Sequence, residues 1–146
     1  MEDEKFMRLA IEQALKAKES GEWPFGAVLV KGGQVISSGH VTERLDKTVL
    51  SHAETKVVDK ACKKLETNKL DTCTIYCTNE PCLMCAAAIF QAKIPRVVIG
   101  ALRTDLVDLL RDRKIRIYDL AKDSGYEIDL KSGVLRNEVI NIFNNI

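Results

Sequence analysis

Three side chains in this sequence could hold a metal ion, and a fourth could move protons beside it. His52-Ala53-Glu54 supplies an imidazole and a carboxylate, and Pro81-Cys82-Leu83-Met84-Cys85 supplies two thiolates. One imidazole and two thiolates suit zinc, and three protein ligands leave a tetrahedral ion one open position for water. Water held there is a nucleophile near neutral pH. Glu54 is then expected to carry protons as a non-ligand, with His52, Cys82 and Cys85 as the zinc ligands. This is the set of parts used in hydrolytic removal of an amino group from a nucleobase.

The spacing has consequences for the supporting elements. Cys82 and Cys85 are three residues apart, so on the first turn of a helix they share a face. Pro81 suits a helix opening, since its missing N–H would be unpaired there. His52 and Glu54 are two apart and would diverge by about 200° on a regular helix. They serve one site only if it lies beyond the helix tip. The motifs therefore predict two helix N-termini pointing at one metal, where both dipoles favour negative charge.

Each motif alone has another reading. A C-x-x-C after a strand also fits a redox pair. A closed structural zinc site needs a fourth ligand, and His40, Cys62, Cys73 and Cys77 are the remaining soft candidates. None of these sits in a second paired motif. A His-Ala-Glu at a helix start is compatible with a simple cap. The coincidence of both motifs favours the zinc deaminase.

Around these motifs, apolar residues alternate in period. Met7, Ala10, Ile11, Ala14 and Leu15 form a helical stripe over residues 3–19. Phe25–Lys31 and Gln34–Ser38 read as a hairpin turning at Gly32-Gly33. Residues 39–51 read as irregular. A helix is predicted over 52–65, a strand over Cys73–Cys77, a helix over 82–92 and a buried strand over Arg96–Ala101. Within 104–124, Leu106, Val107, Leu109 and Leu110 suggest a helix, whereas Ile115 to Tyr118 alternates like a strand. Tyr126–Leu130 reads as the last strand, Ser132-Gly133 as a turn and Val134–Asn144 as a closing helix. Strands alternating with helices predict an α/β layered fold, one domain over 1–146, with right-handed crossovers in its middle.

Composition is that of an ordinary globular chain: 46% hydrophobic and 29% charged over 146 residues. The net charge of +1 makes no general case for nucleic acid, though a local basic patch could hide in it. The N-terminus lacks the apolar core of a signal peptide, and no apolar run approaches the roughly 20 residues that span a bilayer. A soluble, cytoplasmic protein is expected, with Cys62, Cys73 and Cys77 as reduced thiols.

The sequence resembles the cytidine deaminase superfamily, in the branch of tRNA adenosine deaminases, guanine deaminases and fungal-type cytosine deaminases. The resemblance runs nearly end to end. It rests on residues 24–30 (PFGAVLV), Ser51-His52-Ala53-Glu54, residues 79–86 (NEPCLMCA), residues 94–101 (IPRVVIGA) and residues 133–138 (GVLRNE). It implies a three-layer α-β-α fold with a mixed five-stranded sheet, a zinc ion and a homodimer. It also implies base contacts at the Glu80 carbonyl and the Ala53 N–H, with Phe25 on the strand that floors the pocket. The branch usually carries an Asn two residues after the glycine closing the hairpin, where it hydrogen-bonds the base. Here Val41 stands at that position, and the Asp-Pro usual before the His-x-Glu motif is replaced by Thr48-Val49. His40 is a candidate for the missing polar contact, against the plainer reading of a solvent-facing loop histidine.

From balanced charge and Pro24-Phe25-Gly26, a free base or nucleoside of the guanine or cytosine type is the expected substrate. The alternative is adenosine in tRNA, which the motif at 133–138 favours. A non-catalytic zinc module is a third reading, weakened by the presence of Glu54.

Overall fold

A computed structural model describes residues 2–146. Its elements are α1 (Glu2–Glu19), β1 (Gly26–Lys31), β2 (Gln34–His40), α2 (Glu43–Asp46), α3 (Ala53–Leu65), β3 (Cys73–Asn79), α4 (Leu83–Gln91), β4 (Arg96–Ala101), a 3-10 turn (Arg103–Leu106), α5 (Ile117–Asp123), β5 (Asp129–Lys131) and α6 (Arg136–Ile142). The strands form one mixed sheet in the order β2-β1-β3-β4-β5. β1 is antiparallel to β2 and β3, whereas β3, β4 and β5 run parallel. The expected three-layer α/β fold with five mixed strands is the fold observed.

Alternation along the strands sorts the layers. Ala27 and Leu29 of β1, Ile75 and Cys77 of β3, and Val97 and Ile99 of β4 face α3, α4 and α5, packing with Val57, Ala86, Ile89 and Ile117. Val28, Tyr76 and Val98 face the other way, against Phe6, Met7 and Ala10 of α1. α6 lies on that second side, where Val139 and Phe143 pack near Ala101 and Ile11. β4 is buried on both faces, hence its unbroken apolar run.

The hairpin turns where predicted, with Gly32 and Gly33 both at positive φ (57° and 76°), as a two-residue primed turn requires. Gly26 has a different reason. A Cβ there would lie 2.2 Å from the Ala10 carbonyl oxygen. Only glycine lets α1 lie this close to the strand that leads into the site.

Several local expectations are corrected. Ile115 to Tyr118 is not a strand: α5 begins at Ile117. Ile117 is fully buried while Ile115 is 57% exposed. Leu120 and Ala121 join Ile117 against the core, so the inward set has helical spacing and the alternation was incidental. The last strand is shorter than Tyr126–Leu130. Its pairing starts when the Asp129 N–H donates to the Pro95 carbonyl, and Asp129 pairs with Arg96, the first residue of β4. Residues 126–128 have no parallel partner. Residues 39–51 contain α2, which the sequence did not signal. Both motif helices begin one residue later than expected. His52 and Cys82 are their extended N-caps, and Pro81 precedes the cap rather than opening the helix.

Cys73 and Cys77 are buried, Cys62 is half-buried, and all are free thiols. Burial pushes the Cys77 thiol well above its ordinary range. No helix among the described residues is long and apolar enough to cross a membrane.

Candidate active site

The two motif helices start side by side at one end of the sheet. As N-cap residues with extended backbone (ψ 159° and 172°), His52 and Cys82 project ahead of their helices. Cys85 follows on the first turn of α4. The His52 Nδ1 lies 3.5 Å from the Cys82 Sγ and 3.3 Å from the Cys85 Sγ. The three ligand atoms lie within 4.8 Å of one another. A single ion at about 2.0–2.3 Å from each atom fits such a triangle. The donor set is borderline-soft and offers three ligands, leaving a fourth direction open.

The other imidazole nitrogen is also fixed. His52 Nε2 lies 2.6 Å from Glu43 Oε1. Glu43 is the first residue of α2, and a buried side chain holds that helix in place. Glu22 accepts the backbone N–H groups of Arg44 (3.0 Å) and Leu45 (3.1 Å). The Thr42 hydroxyl donates to Asp46 at 2.6 Å. Glu22 therefore places α2, α2 places Glu43, and Glu43 turns the Nδ1 of His52 toward the thiols.

The ionisation states are coupled. The Cys82 thiol is held down to about 4 by hydrogen bonding from Cys85 and from His52. His52 is raised to about 9, chiefly by its bond to Cys82. Cys85 is pushed far up by the adjacent Cys82 thiolate. Zinc needs both thiolates and a neutral imidazole, so binding the ion releases protons from this cluster.

Beside the triangle is a cavity of about 150 Å³ lined by Phe25, Val41, Ala53, Glu54, Asn79, Glu80, Arg103 and Leu110 together with His52 and Cys82. A larger depression of about 260 Å³ lies between α4 and α5 but contains none of the motif residues. Glu54 is 8% exposed, and burial raises its carboxyl to about 7. Ala53 occupies the first turn of α3, where backbone N–H groups lack helical acceptors. Phe25 precedes β1 rather than lying on it, and its ring stacks on Trp23 (6.2 Å, 12°) and leans on Phe143 beyond α6. Val41 is buried and lines the cavity. His40 does not: its Nδ1 pairs with Gln13 Oε1 at 3.0 Å.

Glu80 sits under the cavity with its side chain bound on three sides. Arg116 donates to it at 2.5 and 2.9 Å, and the Arg103 N–H donates at 3.0 Å. This knot ties residues 103–116 to the site, so Arg103 and Leu110 reach the mouth. Arg103 and Arg116 also flank, with Arg113, a small recess beside Cys82. Sequence reasoning missed Glu43, Asn79, Arg103 and Leu110. Asn79 stood inside a recognised motif without a role. Glu43 and Leu110 lie in the two segments that carried no clear periodicity, 39–51 and 104–124, and Arg103 immediately precedes the second.

The sequence model for the cytidine and deoxycytidylate deaminase zinc-binding region matches residues 1–101. The chain belongs to that family. It is accordingly a zinc-dependent hydrolytic deaminase, with the His52, Cys82 and Cys85 cluster suited to the ion. It is 37% identical to the tRNA-specific adenosine deaminase of Bacillus subtilis over 143 residues, 94% of this chain and 83% of the relative. A guanine deaminase of the same organism is 40% identical, but over 111 residues, 74% of this chain and 70% of the relative. A solved structure from work on A-to-I editing by tRNA:A34 deaminases superposes with a TM-score of 0.82 at 34% identity, over 95% of this chain and 99% of that one. The expectation of a free base or nucleoside substrate is overturned by these matches. Three relatives that align by sequence over more than nine-tenths of this chain, at 34–37% identity, are tRNA-specific adenosine deaminases. Balanced total charge and Pro24-Phe25-Gly26 were poor guides, because neither describes the mouth of the site.

Proposed function

We propose that this protein is a tRNA adenosine deaminase that converts an adenosine of the tRNA anticodon to inosine and releases ammonia. Whole-length similarity to tRNA adenosine deaminases carries this reading. The mouth of the cavity is consistent with it. Arg103, Arg113 and Arg116 gather beside Cys82, and Arg111 and Lys114 lie in the same segment. Phosphate contacts of this kind give affinity without sequence information. A net charge of +1 does not preclude a local cluster.

In the proposed mechanism residues 1–146 act as one catalytic domain. Held by His52, Cys82 and Cys85, zinc would polarise a water molecule into a nucleophile near neutral pH. Glu54 takes a proton from the water as general base and delivers it to N1 of the adenine ring as the hydroxide adds at C6. It then carries the proton of the new C6 hydroxyl to the N6 amine, the C6–N6 bond breaks, and ammonia leaves, with N1 keeping its proton in the inosine product. A buried carboxyl with a value near the working pH suits both directions of transfer. The free Ala53 amide and the Glu80 carbonyl are assigned to contacts with the base and the leaving amine. Phe25 and Val41 supply apolar walls.

We also propose a homodimer working in the cytoplasm, where tRNA is found. Leu45, Val49, Leu50, Val107 and Ile115 are exposed and suited to burial against a second copy. Light scattering should give twice the chain mass.

The test of function is deamination. Purified, zinc-loaded protein should convert adenosine to inosine in an anticodon stem-loop and leave a panel of free bases and nucleosides unchanged. Ammonia release from a free base with no conversion of the RNA would refute the reading.

A further inference from the structure

The cavity contains one polar group with nothing to bind. Asn79 is the last residue of β3 and is 5% exposed. Among the described residues, its Nδ2 is the one buried side-chain nitrogen or oxygen without a hydrogen-bond partner. The amide lies with its Oδ1 toward the Thr78 hydroxyl. The Gly26 N–H donates to the Thr78 hydroxyl at 3.1 Å. The hydroxyl has one proton, with Asn79 Oδ1 at 2.9 Å and the Gly26 carbonyl at 3.3 Å as acceptors. The shorter bond goes to Asn79. Its oxygen is thus engaged, and both protons of its Nδ2 are free.

A buried amide donor without a partner is costly, by about 1–3 kcal/mol. Such groups are rare in native structures and call for an explanation. Here the donor belongs to a residue lining the same cavity as Val41, which has no polar side-chain atom. Apart from Glu54, which is assigned to proton transfer, the charged side chains of the wall are engaged. His52 bonds Glu43 and the thiols, and Glu80 is held by Arg116 and the Arg103 N–H. Arg103 donates to the Arg111 carbonyl at 2.6 Å. A ligand in this cavity would meet Asn79 as an unused donor.

We propose that Asn79 is a specificity-determining residue whose Nδ2 donates to a ring nitrogen of the target adenine, N3 or N7. This rests on the tRNA adenosine deaminase reading. Adenine carries lone pairs at N1, N3 and N7, and N1 is the atom that Glu54 protonates. The contact would come from the end of a rigid central strand, whereas the loop position at Val41 adds only an apolar surface. A site with a buried donor rejects a base that lacks the matching acceptor, because the donor is then left unpaired.

The experiment uses the zinc-loaded full chain carrying Glu54→Gln, so that RNA is held without conversion. Binding of anticodon stem-loops with adenosine, 3-deazaadenosine or 7-deazaadenosine at the target position is measured by fluorescence anisotropy. One of the two deaza substitutions should weaken binding about 10–100-fold, the range set by an unpaired buried donor. Adding Asn79→Leu should abolish that preference, so that all three RNAs bind alike, with zinc content unchanged and the far-UV circular dichroism of the fold retained. Asn79→Ala repeats the comparison if the leucine does not fit. The inference is overturned if neither deaza substitution matters in the Asn79 protein, or if the preference survives in both variants. If the wild-type chain converts the adenosine stem-loop while either result holds, only the role of Asn79 falls. If it converts no RNA at all, the functional reading falls and this inference with it.

Discussion

His52 Nε2 and Glu43 Oε1 are 2.6 Å apart, and this contact orients the imidazole proposed to bind zinc. With Nε2 committed to Glu43, Nδ1 is the nitrogen left for zinc, and the ring plane is fixed. Groups that orient a ligating histidine typically contribute 10–100-fold to metal affinity. Glu43→Ala should therefore weaken zinc binding by about that factor in a chelator competition, with little change in far-UV circular dichroism. Glu43→Gln keeps an acceptor and should fall between the two. Unchanged zinc affinity in Glu43→Ala would remove this role.

The ligand set makes a stronger demand. Purified protein should contain about one zinc per chain, and Cys85→Ser should lose most of it. Solubility should fall too, since two helix ends would then face each other without the ion between them. A His52→Ala, Cys82→Ala double variant that still carries full zinc would show that the ion is held elsewhere.

For Glu54, the expectation separates chemistry from structure. Glu54→Gln should retain zinc and fold yet lose at least roughly 10²–10⁴ in single-turnover rate, the usual range for general acid–base catalysis. Because the buried carboxyl sits at about 7, its role as base calls for the ionised form. The rate should therefore fall as pH drops below that value. A wild-type rate in Glu54→Gln would end the proton-transfer assignment.

Asp3 gives a test of stability remote from the site. It accepts from both Arg96 guanidinium nitrogens, from the Tyr76 hydroxyl and from Lys131, each at 2.8–2.9 Å. These bonds join α1 to β3, β4 and β5. The Arg96 bonds hold the Asp3 carboxyl well below its ordinary 3.8. A depressed carboxylate stabilises the fold fully above its unfolded value, and the contribution is lost as pH falls through the folded one. Asp3→Asn should cost about 2 kcal/mol at pH 7, the scale of a charged hydrogen bond. The difference from wild type in urea unfolding should shrink as pH drops below about 4. A gap that does not change with pH would exclude ionisation of Asp3 as its source.

The chemistry of this protein was legible in its sequence because it is local. Two short motifs carry the proposed ligands and Glu54, and each lies at a helix start. The layered fold was legible because strands and helices bury different periodicities. Tertiary structure decided what the chain brings together from afar. Glu43 reaches His52 because Glu22, on a different segment, holds α2 in place. Residues 103–116 reach the mouth because buried Glu80 binds Arg116. The unpaired state of Asn79 depends on which acceptor the Thr78 proton chooses. Ile115 to Tyr118 shows the same limit in the fold: its alternation fits a strand, but Ile115 stays exposed while Ile117, Leu120 and Ala121 meet the core at helical spacing. Periodicity and motif spacing express what neighbours in the chain can do for each other. Hydrogen bonds between distant segments, and the charge at the mouth of a site, exist only once packing has chosen which groups meet.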